Sequence, residues 1–336
     1  KIKRGKREEY IETEEQMSGL LLELGAEGKT LTHLKTKRGY KEKTLEELLR
    51  CLAELEGLVK GLSRYRFELS TYFRKRDRKK GLPIYFIRID GAGGPSLGDM
   101  WGTFTDNFAP YRFDEMVPLY PFRTAVWDVN WKIAYDNYQE SYHVPVGHPG
   151  FNRLMWEDLD ALTSGGSGVG RGVFHARTKP SPVAEEARYQ ELLGQCNSHL
   201  PDDLRTTWDQ YGMYPNLGID IFPECVDFMQ ILPLGPRRTL VRYGVYGLPD
   251  ADPKLAELRE LNQKINLQVD QEDIELCGRV QEGFDSPDYI PGPLSAEETG
   301  IRDFHTRLRQ ALPVMHLDHA PAPGTLEQVN RELCES

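Results

Sequence analysis

Residues 130–150 read NWKIAYDNYQESYHVPVGHPG, and this stretch decides how the rest of the chain is read. A helix beginning at Trp131 places Asn137, Glu140 and His143 on one side, because positions three apart are neighbours on a helix surface. His148 stands five residues beyond His143, and an unbroken helix would turn it about 140° away. Pro145 and Gly147 lie between the two histidines. Proline ends or kinks a helix and glycine lets the chain turn back, so a break there lets both imidazoles converge.

A third ligand is sought downstream. Val269 to Gly283 has helical spacing, with Val269, Leu276, Cys277 and Val280 forming an apolar stripe that includes Asp273. Glu272 and Glu275 fall beside Gln268 and Arg279, the expected company of a solvent face. An ionised carboxylate in an apolar stripe is costly unless paired or metal-bound, so Asp273 needs a partner. Two histidines and one carboxylate leave open coordination positions, the arrangement of non-haem iron(II) oxygenases; the same set also suits catalytic zinc. A buried histidine pair beside an unrelated aspartate stays open from spacing alone.

Around this core the chain alternates strands and helices, which predicts an α+β domain on an antiparallel sheet. Phe222–Leu234 and Leu240–Leu248, joined by Gly235 to Thr239, predict a hairpin. Arg123–Trp131 predicts a strand, Pro180–Pro201 a helix between loops, and Asp160–Arg171 a mobile surface loop. Gly91 to Gly94 after the run Ile84–Ile89 is a weak match to a dinucleotide-binding turn, since no helix with a following acid completes it.

Of the 336 residues, 39% are hydrophobic and 28% charged, which fits a globular protein. Residues 1–82 carry 21 Lys+Arg against 14 Asp+Glu, a balance of +7, so the remainder carries −17 of the total of −10. The boundary falls at the basic run Arg74–Lys80, which reads as a solvated linker or as a docking patch for an acidic partner such as an electron carrier. Within the basic part, Thr44 and Glu47 form a capping-box pattern ahead of a leucine stripe that runs to about Gly61. No aromatics interleave with the charges, which speaks against nucleic acid. The five cysteines are scattered and suit a reducing compartment. No run approaches the roughly 20 apolar residues of a membrane span, and the opening residues lack the apolar segment of a secretory signal, so a cytoplasmic protein is expected.

The blocks Asn130-Trp131-Lys132, Asp136-Asn137, Glu140, Tyr142-His143 and His148-Pro149 resemble the iron-binding signature of the Rieske non-haem iron oxygenases. Tyr214-Pro215-Asn216, Glu272-Asp273 with Val280-Gln281, and Gly292-Pro293-Leu294-Ser295 follow in the same order. The resemblance is nearest the choline monooxygenase, glycine betaine and carnitine oxygenase branch and covers about residues 83–318. It implies a helix-grip (START/Bet v 1-like) sheet around a long C-terminal helix, with His143, His148 and Asp273 holding Fe(II). It implies that Glu140 links a [2Fe-2S] Rieske cluster to the histidine and that Asn137 lies beside the metal. It further implies O2 and a small substrate, a quaternary amine or an aromatic, hydroxylated or demethylated with electrons from a ferredoxin or flavin reductase, in a homotrimer. The division expected is 1–82 as a basic segment, 83–320 as the catalytic domain and 321–336 as a tail.

One departure is plain. A Rieske cluster needs Cys-x-His and Cys-x-x-His, and the chain has no Cys-x-His. Cys196-Asn197-Ser198-His199 is a lone Cys-x-x-His on the wrong side of the iron motif and reads as a helix-surface coincidence. Either electrons come from a cluster on another polypeptide, or the sequence is altered or incomplete in that region. The alternatives are a metal-free helix-grip binding module and a zinc hydrolase. Trp101, Tyr111, Trp127, Trp156, Trp208 and Tyr211 are candidates for an aromatic box around a quaternary ammonium, or for core.

Overall fold

The computed structural model describes residues 96–335 apart from 160–162, 166, 167 and 318, together with 2–4, 7–9, 28–32, 39–41, 43–45 and 47–49. The chain divides into two compact units, Lys1–Arg78 with Leu82–Gly91, and Lys79–Gly81 with Ala92–Ser336. In the first, Ile2–Arg4 pairs with Arg7–Glu9, and Thr30–Thr32 with Gly39–Lys41, both antiparallel. The strand expected at 84–89, the turn at 91–94, the basic run at 74–80 and the leucine-stripe helix beyond residue 49 lie outside the described residues.

The second unit is an antiparallel sheet with a long helix packed on it. Its strands are β1 (Val117–Pro118), β2 (Arg123–Trp127), β3 (Met155–Glu157), β4 (Thr163–Gly165), β5 (Val169–Ala176), β6 (Thr207–Met213), β7 (Leu217–Ile221), β8 (Val226–Gly235) and β9 (Arg238–Gly247). The order is β1-β9-β8-β7-β6-β5-β3, with β2 also on β9 and β4 also on β5. The expected hairpin is β8–β9, with Val226 opposite Tyr246 and Gly235 opposite Arg238. It starts later than the apolar run suggested, because Phe222 to Cys225 form the preceding turn, closed by Phe222 N–H to the Cys225 carbonyl at 2.9 Å.

Asp160–Arg171 is not a surface loop throughout. Thr163–Gly165 pairs with Val169–Arg171, and Gly168 turns between them at φ +87, where a Cβ would lie 3.3 Å from the Arg307 guanidinium. Glycine-rich composition marked the turn and concealed the strands that flank it. The segment 180–201 contains a helix, Ala184–Leu193 (α1), whose Leu192 and Leu193 are buried.

The second helical segment is far longer than its apolar stripe. Helix α2, Pro253–Phe284, has 32 residues and begins with Asp252 accepting from Lys254 N–H and Pro253 in the first turn. Its first half carries Leu255, Leu258 and Leu261 into a cluster with Phe174, Trp208 and Phe222. Its second half brings Cys277 and Ile274 against Trp127, Ile231 and Val241. Between them the helix shows the sheet a polar face. That face interrupts the periodicity, and the stripe therefore becomes visible in sequence only from Val269. Val280, assigned to the stripe, is exposed, while Gln281 is buried and accepts from Asn130 N–H at 2.9 Å.

Helix α3, Thr299–Ala311, closes the second cluster with Phe304 and Leu308. The terminal residues form a further helix, Leu326–Glu335 (α4), tied back where Asn330 Oδ1 accepts from Val314 N–H at 3.0 Å. No helix among the described residues is long and apolar enough to cross a membrane. Cys196, Cys225, Cys277 and Cys334 are free thiols.

Candidate metal centre

The histidine-bearing stretch folds as two short helices. Trp131–Tyr138 (α5) is capped by the Asn130 side chain, which accepts from Lys132 N–H at 3.0 Å, and stops at Gln139. The chain then turns and enters a four-residue helix, Val144–Gly147, with His143 as its N-cap and His148 as its C-cap. The break therefore falls at 139–143, ahead of Pro145. Pro145 instead occupies the first turn of the new helix, where its missing N–H costs nothing. The histidines converge because they sit at the two ends of one turn, with His148 at φ −122 and ψ 73.

Gly147 is needed for close approach. A Cβ there would lie 2.7 Å from Leu276 Cδ1 and 3.3 Å from His143 Cδ2. The turn thus presses directly on helix α2 at Leu276, three residues beyond Asp273.

Three ligand-type atoms meet in this corner. His143 Nε2 stands 3.0 Å from His148 Nε2, and Asp273 Oδ1 lies 3.1 Å from His148 Nε2 and 3.6 Å from His143 Nε2. Ligand atoms about 2.1 Å from one ion and at right angles to each other stand about 3 Å apart, so the spacing fits one small cation held on three adjacent positions. Among the described residues, His143, His148 and Asp273 are the group with metal-holding geometry. Both imidazoles are anchored from behind. His143 Nδ1 is 2.6 Å from Glu140 Oε1, and His148 Nδ1 is 2.8 Å from Glu272 Oε2. A carboxylate on Nδ1 holds the proton there and leaves the Nε2 lone pair free for a metal. Asn137 Nδ2 donates to Asp273 Oδ1 at 2.7 Å.

The donor set and this orientation both suit a divalent metal. Burial works against a charged His143, but Asp273 and Glu140 outweigh it and push its pKa up to about 9. Burial likewise opposes charge on Asp273, and the two histidines hold its carboxyl below the usual range. The site accumulates negative charge that a bound cation would neutralise.

Glu272 corrects the sequence reading. Helix periodicity places it on the solvent face with Glu275, yet only Glu275 is exposed; Glu272 reaches His148, and Gln268 Nε2 holds its other oxygen at 2.9 Å. Positions one residue apart on a helix diverge by about 100°, but a glutamate is long enough to swing back to the edge of the neighbouring face. Cys196 and His199 lie beyond the end of α1, not on a helix surface, and border a separate cavity with Asn197 and Arg259.

A cavity of about 140 Å³ opens beside the triad, lined by His143, His148 and Asp273 and by Tyr120, Trp127, Tyr138, Phe174 and Tyr243. Of the six aromatics proposed as a box, only Trp127 lines it. Trp101, Tyr111 and Tyr211 pack in one core cluster and Trp208 in another, while Trp156 is exposed beside His175. The walls also hold Asp220, Asp227 and Asp270, for which the sequence offered no signal. Arg123 pairs with Asp270 and lies over the Tyr243 ring, 3.7 Å from its centroid. A second cavity, lined by Tyr138, Glu157, Arg171 and Gly300, shares Glu140 with the first.

Residues 113–313 match the family model described as ring hydroxylating alpha subunit (catalytic domain). The chain is 27% identical over 246 residues to the chloroplastic choline monooxygenase of Spinacia oleracea, a match covering 68% of this chain and 49% of that protein. It is 26% identical over 195 residues to putrescine 2-hydroxylase of Bordetella bronchiseptica, covering 54% and 44%. Among solved structures it is similar to the quaternary ammonium Rieske monooxygenase CntA in complex with L-carnitine, with TM-score 0.47, 17% identity, and 66% and 57% of the two chains covered. The chain spans about half the length of the curated relatives it matches.

Proposed function

Because the chain belongs to the ring hydroxylating alpha subunit (catalytic domain) family, we propose that it is an oxidoreductase in which His143, His148 and Asp273 hold one Fe(II). The reaction is hydroxylation or oxidative demethylation of a small organic substrate, a quaternary amine or an aromatic, with O2 and electrons from an external redox partner. The observation that carries this reading is the convergence of His143 Nε2, His148 Nε2 and Asp273 Oδ1, with each Nδ1 backed by a carboxylate. A metal-free binding module has no use for that arrangement.

Iron(II) in this site supplies the redox chemistry of O2 activation. The chain's own residues orient the ligands and shape the cavity. Glu140 and Glu272 fix both imidazoles by their Nδ1 atoms, and Asn137 fixes the carboxylate oxygen that faces them. The aromatic walls keep bulk water from the substrate. Glu140 borders both cavities, which supports its role as the link between the metal and an incoming electron donor.

Residues 83–320 are the iron-binding catalytic domain in this reading, with the helix-grip arrangement, a basic segment at 1–82 and a tail at 321–336. The family's [2Fe-2S] cluster finds no ligand pattern in this sequence. Electrons from such a cluster, fed by a ferredoxin or flavin reductase, complete the path, and a homotrimer is the assembly proposed.

Anaerobic reconstitution with Fe(II) is expected to give about one iron per chain, and His143→Ala to abolish it. Metal analysis that found tightly bound zinc and no iron retention would overturn the assignment, as would an unchanged iron content in His143→Ala.

A further inference from the structure

We propose that Tyr138 and Gln139 are positioning residues for the metal centre, seated in a row of glycines that crosses three strands of the sheet. This rests on the reading of His143, His148 and Asp273 as metal ligands, and it names what holds the residues behind them.

Gly170, Gly212 and Gly218 stand directly opposite one another on β5, β6 and β7. Glycine weakens a strand interior and marks places where another part of the chain approaches closely. Here the end of α5 approaches. A Cβ on Gly218 would lie 2.6 Å from Tyr138 Cζ, and one on Gly212 would overlap the Gln139 side-chain amide. The Tyr138 hydroxyl donates to Asp220 Oδ1 at 2.8 Å, two residues along β7 from Gly218 and therefore on the same face of the sheet. From the other side, Gly300 in the first turn of α3 comes so close that a Cβ there would overlap the Gln139 carbonyl oxygen.

The seat matters because two contacts to the ligands leave the chain beside it. Asn137 donates to Asp273 Oδ1 at 2.7 Å, and Glu140 Oε1 lies 2.6 Å from His143 Nδ1. Helix α5 stops at Tyr138, so from Gln139 onward no further helical turn fixes the main chain that carries Glu140. Tyr138 and Gln139 hold it from one side. On the other, the Ser141 hydroxyl donates to Glu157 Oε1 at 2.5 Å. Glu140 is therefore held at both flanks, and its carboxylate is preorganised against His143.

Packing alone would affect stability and leave the surroundings of the metal unchanged. A displaced Tyr138 moves Asn137 and Glu140 together, so it alters how Asp273 and His143 are oriented. Residues that orient a ligand histidine typically change metal affinity by about 10- to 100-fold.

Gly218→Ala forces a methyl group against the Tyr138 ring. In the full chain it is expected to lower the thermal midpoint, to weaken Fe(II) binding about tenfold in anaerobic chelator competition, and to change the visible spectrum of the Co(II)-loaded protein. Gly247→Ala overpacks the same sheet at the end of β9, against Leu119 and the Arg259 guanidinium, and is expected to lower the midpoint alone. Where Gly218→Ala does not fold, two substitutions of Tyr138 decide: Tyr138→Ala empties the seat and should also cost about tenfold in affinity, while Tyr138→Phe keeps the ring and most of the affinity. Unchanged Fe(II) binding and cobalt spectrum in Gly218→Ala, equal effects from Gly247→Ala, or no difference between the two Tyr138 variants overturns the proposal. An unaltered chain that retains no iron would sink the metal assignment and this inference with it, whereas iron retention unmoved by these variants would sink this inference alone.

Discussion

Glu272 shows how much a single side chain contributes to the candidate centre. Its carboxylate stands 2.8 Å from His148 Nδ1, and His148 is 2% exposed, so no water replaces it freely. Residues that orient a ligand histidine are typically worth a 10- to 100-fold change in metal affinity. Glu272→Ala is expected to weaken Fe(II) binding by roughly that factor, read by anaerobic competition with a chelator, while Glu275→Ala on the exposed side leaves it unchanged. Equal effects from the two substitutions would remove Glu272 from the site. The residue types His143, His148, Asp273 and Glu140 were legible from spacing and resemblance. Helix periodicity assigns Glu272 to solvent because it ranks directions and ignores the reach of a long side chain.

At the scale of elements, the turn that joins the histidines depends on how closely it packs against α2. Its Gly147 has Leu276 Cδ1 at 2.7 Å from the position a Cβ would take. Gly147→Ala must push Leu276 aside or displace the His143 ring, and overpacking of this kind costs about 1–3 kcal/mol. The expected result is a lower thermal midpoint together with weaker Fe(II) binding, both recovered in part when Leu276→Ala is added. A fully additive double variant would show that the contact is not shared. Helix α2 itself is longer than its apolar period, which marks only Val269–Gly283 of Pro253–Phe284. Its cap, Asp252-Pro253, was present in the sequence. Its middle presents Asn262, Asn266 and Asp270 to the cavity, so the apolar period that signals a helix lapses where the function is. The expected β8–β9 hairpin survived because its apolar runs and Gly-Pro turn are local features.

For the molecule as a whole, one buried acid gives a pH signature remote from the metal centre. Glu224, 2% exposed, accepts from the Tyr189 hydroxyl at 2.8 Å, and burial pushes its pKa from 4.5 up to about 7. The folded state therefore binds the proton more tightly than the unfolded chain. Stability from this group is full below about pH 4.5, declines as the pH rises towards 7 and is then constant, a loss on the order of 3 kcal/mol. Glu224→Gln keeps the acceptor for Tyr189 and cannot ionise. Urea midpoints at pH 5 and pH 7.5 should fall with pH in the parent and change less in the variant. A parent midpoint that rises over this range, or a decline of the same size in the variant, would contradict the assignment.

The sequence by itself determined the chemistry available: two histidines five apart, a carboxylate on a later helix, an acid three before the first histidine, and an antiparallel α+β domain to carry them. It also determined that the chain has no Cys-x-His for a cluster. Only the tertiary structure decided which acid backs His148, where the chain breaks between the histidines, and that Asp220 and Asp227 face the same cavity as the triad. The physical reason is separation along the chain. Glu272 lies 124 residues from His148, and Asp273 lies 136 residues from Asn137. Local periodicity fixes the direction of a side chain within its own helix or strand. Packing of the helix on the sheet decides which of those directions meet.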